Sequence, residues 1–479
     1  MGNQIVIPSM GNWYVDPLRR HGIGVKNILE SGTFFITLDC YDMKNPQNEL
    51  IVKAYESNEP LDKDSIAMSS KVYLEILSNK CKEHSYNGIS IYTPILQRNM
   101  AFLCRKKHQF TLSQRLEEYP PLELVEKRWI SYRVLILVSL LHQMDCFHGS
   151  INPDNIFLTW DLDVSIGDMA QIKPTHININ RPDLFHHYFA TASRGFCYLS
   201  PEQLLYSYHS TDDVLFNRPS FPMDYFAVGL VIYFTYTGEH MLDFSTLSEI
   251  SLAMKAKQNE NAESVDYSDI FDEYIEKKIK VLPDDIHDLV KNLLNLDPCK
   301  RLSEGTLNLF TDMDHKDIDI TTPFFPSFFR QISDQLDVFF QKNMSLEHMI
   351  RLIPMFQMII NAIQEKAQLK DEKEWNSKIP LSKSLKMINP TDVKLFLVNF
   401  FTNSLSTSEK VQERASFLNF ICDYTLPLSD NTKLSRILPV FCETLSLQSN
   451  LLKTTAMVCI LKLIASINEI PEGYEGIFS

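Results

Sequence analysis

Glycine is scarce in this chain, with 14 residues in 479, which is about half of the usual ~7%. Any loop that closes its backbone over phosphate groups must therefore be built with few of them. An excess of positive charge is also missing. The 46 Lys and Arg stand against 60 Asp and Glu, and the net charge of −14 argues against a general nucleic-acid binder, so no nucleic-acid partner is expected. No uninterrupted apolar run approaches the roughly 20 residues of a membrane span. The printed start also shows no basic-then-apolar leader. The nine Cys form no C-x-x-C pair and no Cys/His cluster; Cys146, Cys422 and Cys459 sit in apolar runs and read as reduced core cysteines of a cytoplasmic protein. What is present is ordinary globular material, 44% hydrophobic and 22% charged, in a chain long enough for about two or three domains.

One stretch organises the rest: Phe147-His148-Gly149-Ser150-Ile151-Asn152-Pro153-Asp154-Asn155-Ile156-Phe157-Leu158, followed ten residues later by Asp168-Met169-Ala170. A helical run ends near His148, a short loop follows, Asn155 opens a strand and Asp168 closes the next one. This layout resembles the catalytic core of protein kinases. The resemblance implies a structural role for His148 and a metal-binding role for Asn155 and Asp168. Ser150, however, stands where the catalytic base belongs, and Asn152 stands where a lysine would touch the transferred phosphate. Gly149 replaces the arginine that reads a phosphorylated activation loop, so control through Thr191 or Ser193 is not expected. Ala170 replaces a hinge glycine.

Upstream, 32–38 and Glu49-Leu50-Ile51-Val52-Lys53-Ala54-Tyr55 read as strands. Lys53 fits the phosphate-contacting lysine, and Gly32 is all that remains of the glycine-rich loop, which predicts a weak grip on nucleotide. A helix over 69–80 carries Glu75, either the ion-pair partner of Lys53 or a solvated face residue. Met100-Ala101-Phe102-Leu103-Cys104 reads as a buried strand. A helix from near Pro121 to His142 presents Ile130, Val134, Leu135, Val138 and Leu141 on one face. Beyond Asp168, Glu202 in Ser200-Pro201-Glu202 and the late Arg301 fit a structural ion pair, and Asp224 opens a further helix.

After Pro326 the chain becomes runs of helix-period apolar residues. Helix starts at Pro390 and Ser408 recur 42 residues later at Thr432 and Asn450, a HEAT-like spacing. A plain helical bundle satisfies the same periodicity. Residues 364–378 read as a polar loop.

Taken with Met1-Gly2-Asn3-Gln4, Glu126-Lys127-Arg128-Trp129-Ile130, His148-Gly149, Tyr188-Phe189, Cys197-Tyr198, Met223-Asp224 and Phe325-Pro326-Ser327-Phe328-Phe329, the chain resembles one family closely. This is the family of myristoylated, protein-kinase-fold regulatory subunits of class III phosphatidylinositol 3-kinase, the vacuolar protein sorting-associated protein fifteen family. The resemblance implies an α+β protein-kinase fold of two lobes followed by an all-α HEAT-like helical repeat region. Its expected divisions are an N-terminal segment 1–25 with a myristoyl anchor on Gly2, a kinase-like domain 26–325, and helical repeats 326–479, with further repeats or a β-propeller expected beyond. Val6 departs from the usual myristoylation pattern, and from the residues alone Gly2 reads equally as accidental. The resemblance also implies a scaffold on endosomal and autophagic membranes that holds the lipid kinase catalytic subunit and a coiled-coil adaptor. Gly32, Lys53, Glu75, Asn155 and Asp168 would bind ATP or GTP with Mg²⁺ as a structural ligand, without phosphotransfer. Alternatives are an unconventional serine/threonine kinase using ATP, and a kinase-like adaptor with no membrane link.

Overall fold

The computed structural model describes residues 13–31, 35–56, 78–79, 88–97, 99–117, 121–159, 162–169, 173, 175–189, 195–205, 221–258, 267–299, 301 and 410–469, together with Phe325, Phe329, Leu395, Val398, Thr402 and Leu405. The upper lobe opens with the short helix α1 (Val15–Arg20) and continues through β1 (Ile23–Ser31), β2 (Ile36–Asp42), β3 (Glu49–Glu56), β4 (Ile89–Ser90), β5 (Thr93–Leu96) and β6 (Met100–Lys106). Five of these strands form one antiparallel sheet in the order β1-β2-β3-β6-β5. Successive strand residues point to opposite faces, so register decides which side chains share a surface. Val52 lies opposite Leu38 and Cys104, and Ala54 opposite Phe102. These residues pack with Cys40, Tyr14 and Leu18 into the core under α1. The other face carries Lys53 opposite Leu103, and Ile51 opposite Arg105.

A second sheet, β4-β9-β8-β7, joins β7 (Phe110–Thr111), β8 (Ile156–Leu158) and β9 (Val164–Gly167) to β4. The β8–β9 hairpin puts Asn155 just before one strand and Asp168 just after the other, which brings the two ends of the motif stretch together.

The lower lobe is helical: α2 (Leu112–Glu117), α3 (Leu124–Gln143), α4 (Pro182–Tyr188), α5 (Phe221–Thr237), α6 (Phe244–Gln258), α7 (Tyr267–Ile279) and α8 (Asp284–Leu293). The short parallel pair β10 (Ile177–Asn178) and β11 (Leu204–Leu205) lies beside them. Helix α3 starts on a reciprocal capping box between Glu123 and Glu126. The one-faced pattern expected for it does not describe it. From Val125 to His142 nearly every residue is buried, Glu126, Arg128 and Arg133 included, because the helix has neighbours on all sides. Helix α5 is likewise buried around its circumference. Gly229 lets α8 approach it, since a Cβ there would lie 2.9 Å from Leu294 Cδ2.

The C-terminal helices are α9 (Val411–Thr425), α10 (Leu438–Leu445) and α11 (Asn450–Ala465), with α9 and α10 packed on α11. Ser449 caps α11 by accepting the Leu452 N–H at 3.4 Å. Ahead of α10 the chain is α-helical at Asp430–Thr432 and widens to a π-helix over Lys433–Ile437. Pro439 accounts for the widening, because it has no N–H for the carbonyl four residues back. Arg436 lies in this widened segment and reaches the start of α3. Its guanidinium forms a bidentate pair with the fully buried Glu126, Nη2 to Oε2 being 2.6 Å, and donates to the Pro121 carbonyl at 2.9 Å. Phe329 meets Trp129 edge to face at 5.3 Å and Phe325 meets Tyr132 at 5.5 Å. Trp129 and Phe329, which belong to stretches noticed separately in the sequence, therefore touch each other. One continuous hydrophobic core runs from the lower lobe into these helices.

Breaking a buried pair leaves an uncompensated charge. Arg436→Ala is expected to lower stability by roughly 3 kcal/mol in urea unfolding, whereas the double change Glu126→Gln with Arg436→Met recovers most of the loss.

Candidate functional site

The motif loop is held from behind by Asp224, in the first turn of α5. One oxygen accepts the His148 backbone N–H at 2.8 Å and lies 3.0 Å from His142 Nε2; the other accepts the Gly149 N–H at 2.8 Å. Burial opposes ionisation of Asp224, but His142 and His148 outweigh it and hold its carboxyl below the usual range. His148 is fully buried, and burial presses its imidazole pKa down against the pull of the Asp224 and Asp168 carboxylates. Its Nδ1 accepts the Ser150 N–H at 3.3 Å. Gly149 sits at φ +71°, in the left-handed region where a side chain would be strained.

The loop then turns back on itself. Asn152 accepts the Asp154 N–H at 2.9 Å and caps the single turn Pro153–Asn155, while its amide donates to the Ser150 carbonyl at 3.2 Å. Asn155 donates to the same carbonyl at 2.6 Å. Asn152 is therefore committed to loop backbone at both ends of its amide and does not take up the part of a phosphate-directed lysine, while Asn155 is held by its nitrogen. The Ser150 hydroxyl receives Lys173 Nζ at 3.4 Å. A neutral hydroxyl is too weak a base to take a proton from a substrate alcohol.

Across the cleft, Asp168 sits at φ +59° with its carboxylate buried. Lys53 Nζ is 2.7 Å from Oδ2, Arg105 Nε is 2.8 Å from Oδ1, and the Tyr92 hydroxyl donates to Oδ1. Burial alone would raise this carboxyl; the Lys53 and Arg105 charges hold it well below the ordinary carboxylate range. Burial and the Asp168 charge together drive the Tyr92 hydroxyl well above its usual value. On the far side of the lower lobe, Arg301 pairs with Glu202 (Nη2 to Oε2 2.7 Å) as expected, and also donates to the carbonyls of Asn295 and Pro222.

Lys53, Asn155, Asp168, Ser150 and Asn152 thus line one region, while Gly2, Gly32 and Glu75 lie outside the described residues. The partner of Lys53 among the described residues is Asp168. Sequence reasoning missed Arg105, Tyr92 and Lys173. Arg105 did leave a signal: it is a charged residue two positions beyond Leu103, at the end of the apolar run 100–104, on the face shared with Lys53.

Residues 26–313 match the model of the protein kinase domain family. Among curated proteins, the whole chain is 26% identical to a non-specific serine/threonine protein kinase of Candida glabrata, covering 34% of that protein. It is 28% identical to the serine/threonine-protein kinase VPS15 of Arabidopsis thaliana over 63% of the chain and 19% of the relative. It is 26% identical to that of Saccharomyces cerevisiae over 66% of the chain and 20% of the relative. The chain therefore spans about a third or less of the length of these relatives.

Burial and the nearby Lys53 ammonium press the Lys173 pKa down from 10.5 to about 7. Between those values the unfolded chain holds a proton that the folded chain has lost, so stability rises as pH increases from about 7 towards 10.5. Lys173→Met is expected to flatten that rise in thermal unfolding followed against pH.

Proposed function

The chain belongs to the protein kinase family and, within it, to the VPS15 family, and from that premise we propose that it is a regulatory scaffold of a class III phosphatidylinositol 3-kinase complex in endosomal or vacuolar sorting and autophagy. Its kinase domain is proposed to be a pseudokinase. The observation carrying this reading is the loop itself. Ser150 occupies the base position with a lysine against its hydroxyl, and Asn152 is folded into the loop backbone. A general base typically contributes about 10²–10⁴ in rate, and Ser150 supplies none of it.

The proposed partners are the lipid kinase catalytic subunit and a coiled-coil adaptor, met in part by the C-terminal helices, which we read as HEAT-like repeats. Leu451, Met457, Val458 and Leu461 expose apolar surface on α11, in keeping with a further packing partner there. Among the described residues no helix is long and apolar enough to cross a membrane. The proposed attachment is peripheral, through a myristoyl group on Gly2 and a second contact supplied by the complex. A protein kinase domain in general implies a site for ATP with Mg²⁺. Here nucleotide is proposed to be a structural ligand of the cleft, with Lys53 the residue placed to meet its phosphates and Asp168 beside it.

The second reading, an active serine/threonine kinase, is favoured by the preserved Lys53–Asp168 pair and by the names of the relatives. The two separate in one experiment. The protein is purified from its source cell through a tag and incubated with labelled ATP and protein substrate, and the co-purifying lipid kinase activity is assayed. The expected result is phosphatidylinositol 3-kinase activity in the eluate without labelled protein. Phosphate transfer to protein that disappears in Lys53→Ala would sink the pseudokinase assignment, and an eluate without lipid kinase would sink the scaffold assignment.

A further inference from the structure

A carboxylate offers about four lone-pair sites, and at Asp168 all of them face donors. Oδ1 accepts from Tyr92 and from Arg105 Nε; Oδ2 meets Lys53 Nζ at 2.7 Å and Arg105 Nη2 at 3.5 Å. Arg105 is fixed in this position. Its guanidinium lies 4.2 Å from the centre of the Phe157 ring, its Nη1 donates to the Lys106 carbonyl at 3.2 Å, and its side chain is only 7% exposed. A guanidinium stays charged at any pH the protein meets, and unlike a metal ion it cannot dissociate.

A divalent cation does not fit this arrangement. To reach Asp168 it would have to displace Lys53 or Arg105, and it would do so against the positive charge of both. Asn155, the other expected metal residue, is held by its amide nitrogen on the Ser150 carbonyl at 2.6 Å, and it is the charges around Asp168 that oppose a cation. The same charges that repel a metal ion attract phosphate oxygens. Lys53 and Arg105 together carry one more positive charge than Asp168 neutralises, and Lys173 adds to that excess when protonated.

We infer that the cleft binds the phosphate groups of a nucleoside triphosphate without a divalent cation, and that Arg105 supplies within the chain the positive charge that a metal ion supplies in a phosphotransferase. The inference rests on the nucleotide reading above and sharpens it. Arg105 is a positioning and charge-balancing residue: it secures Asp168 and leaves Lys53 and Lys173 to the phosphates. It also gives a second reason, independent of Ser150, for the absence of transfer, because no metal bridges the phosphates that would have to separate.

The test measures ATP and GTP binding to the full chain by calorimetry, once in excess EDTA and once in excess Mg²⁺. Equal affinity in the two buffers is expected for the natural sequence. Manganese added alone, followed by its paramagnetic resonance, should show no bound ion. In Arg105→Leu, affinity in EDTA should fall by about tenfold, Mg²⁺ should restore it, and a bound manganese should appear. Arg105→Lys should keep the metal-independent behaviour. If the natural protein binds nucleotide only with Mg²⁺, or binds manganese alone, the inference is wrong and the nucleotide reading survives. If it binds neither nucleotide in either buffer, the nucleotide reading itself fails and the inference goes with it. The natural protein decides these outcomes even if the leucine variant does not fold.

Discussion

An ionised carboxylate withdrawn from water has to find its compensation in the protein, and Asp168 finds it from both lobes at once. Lys53 comes from β3 and Arg105 from β6 of the upper sheet, Tyr92 from the segment between β4 and β5, and Asp168 from the end of β9. Losing Asp168 would leave Lys53 and Arg105 together without their counterpart, which is far costlier than the net contribution of the assembled group. The relative placement of the lobes is therefore tied to one side chain. Its contacts are with side chains of this chain: Lys53, Arg105 and Tyr92.

The motif loop follows the same logic. Asp224 binds two consecutive backbone N–H groups and His142, so the loop is anchored on a buried carboxylate rather than on substrate. Gly149 permits the left-handed turn, Asn152 caps the turn that follows, and Asn155 ties it to the Ser150 carbonyl. Each departure from the kinase pattern in this loop has a local structural consequence. Arg301 and Glu202 add a third buried pair, with Arg301 fully enclosed and resting over Phe226 at 4.9 Å. Three carboxylates, each satisfied by several donors, hold the lower lobe and its junction with the upper one.

Much of this was readable from the strand and helix patterns together with the resemblance to the protein-kinase core. The strand over 49–55, the strand over 100–104, the helix opened by Asp224 and the pairing of Glu202 with Arg301 all appear where order and pattern placed them. Helix α3 was legible as a helix but not in its burial. A one-sided apolar pattern cannot announce that Arg436, some 310 residues later, will cover Glu126, or that Phe329 will cover Trp129. The π-helical widening before α10 has a visible cause in Pro439, yet its use, carrying Arg436 to Glu126, depends on where α3 lies.

The sequence by itself determined the order of elements, the alternation that sorts each strand into two faces, and the absence of a base at Ser150. These are local properties, set by backbone geometry and by residue type. Which charges meet was decided only by the tertiary structure. Coulomb attraction depends on distance through space and on the exclusion of water, and neither is written in the spacing of residues along the chain. Lys53 was legible as a phosphate lysine, Asp168 as a metal ligand and Arg105 as nothing in particular. Folding brings them within hydrogen-bonding distance in a largely buried site, and there they become one another's counter-ions.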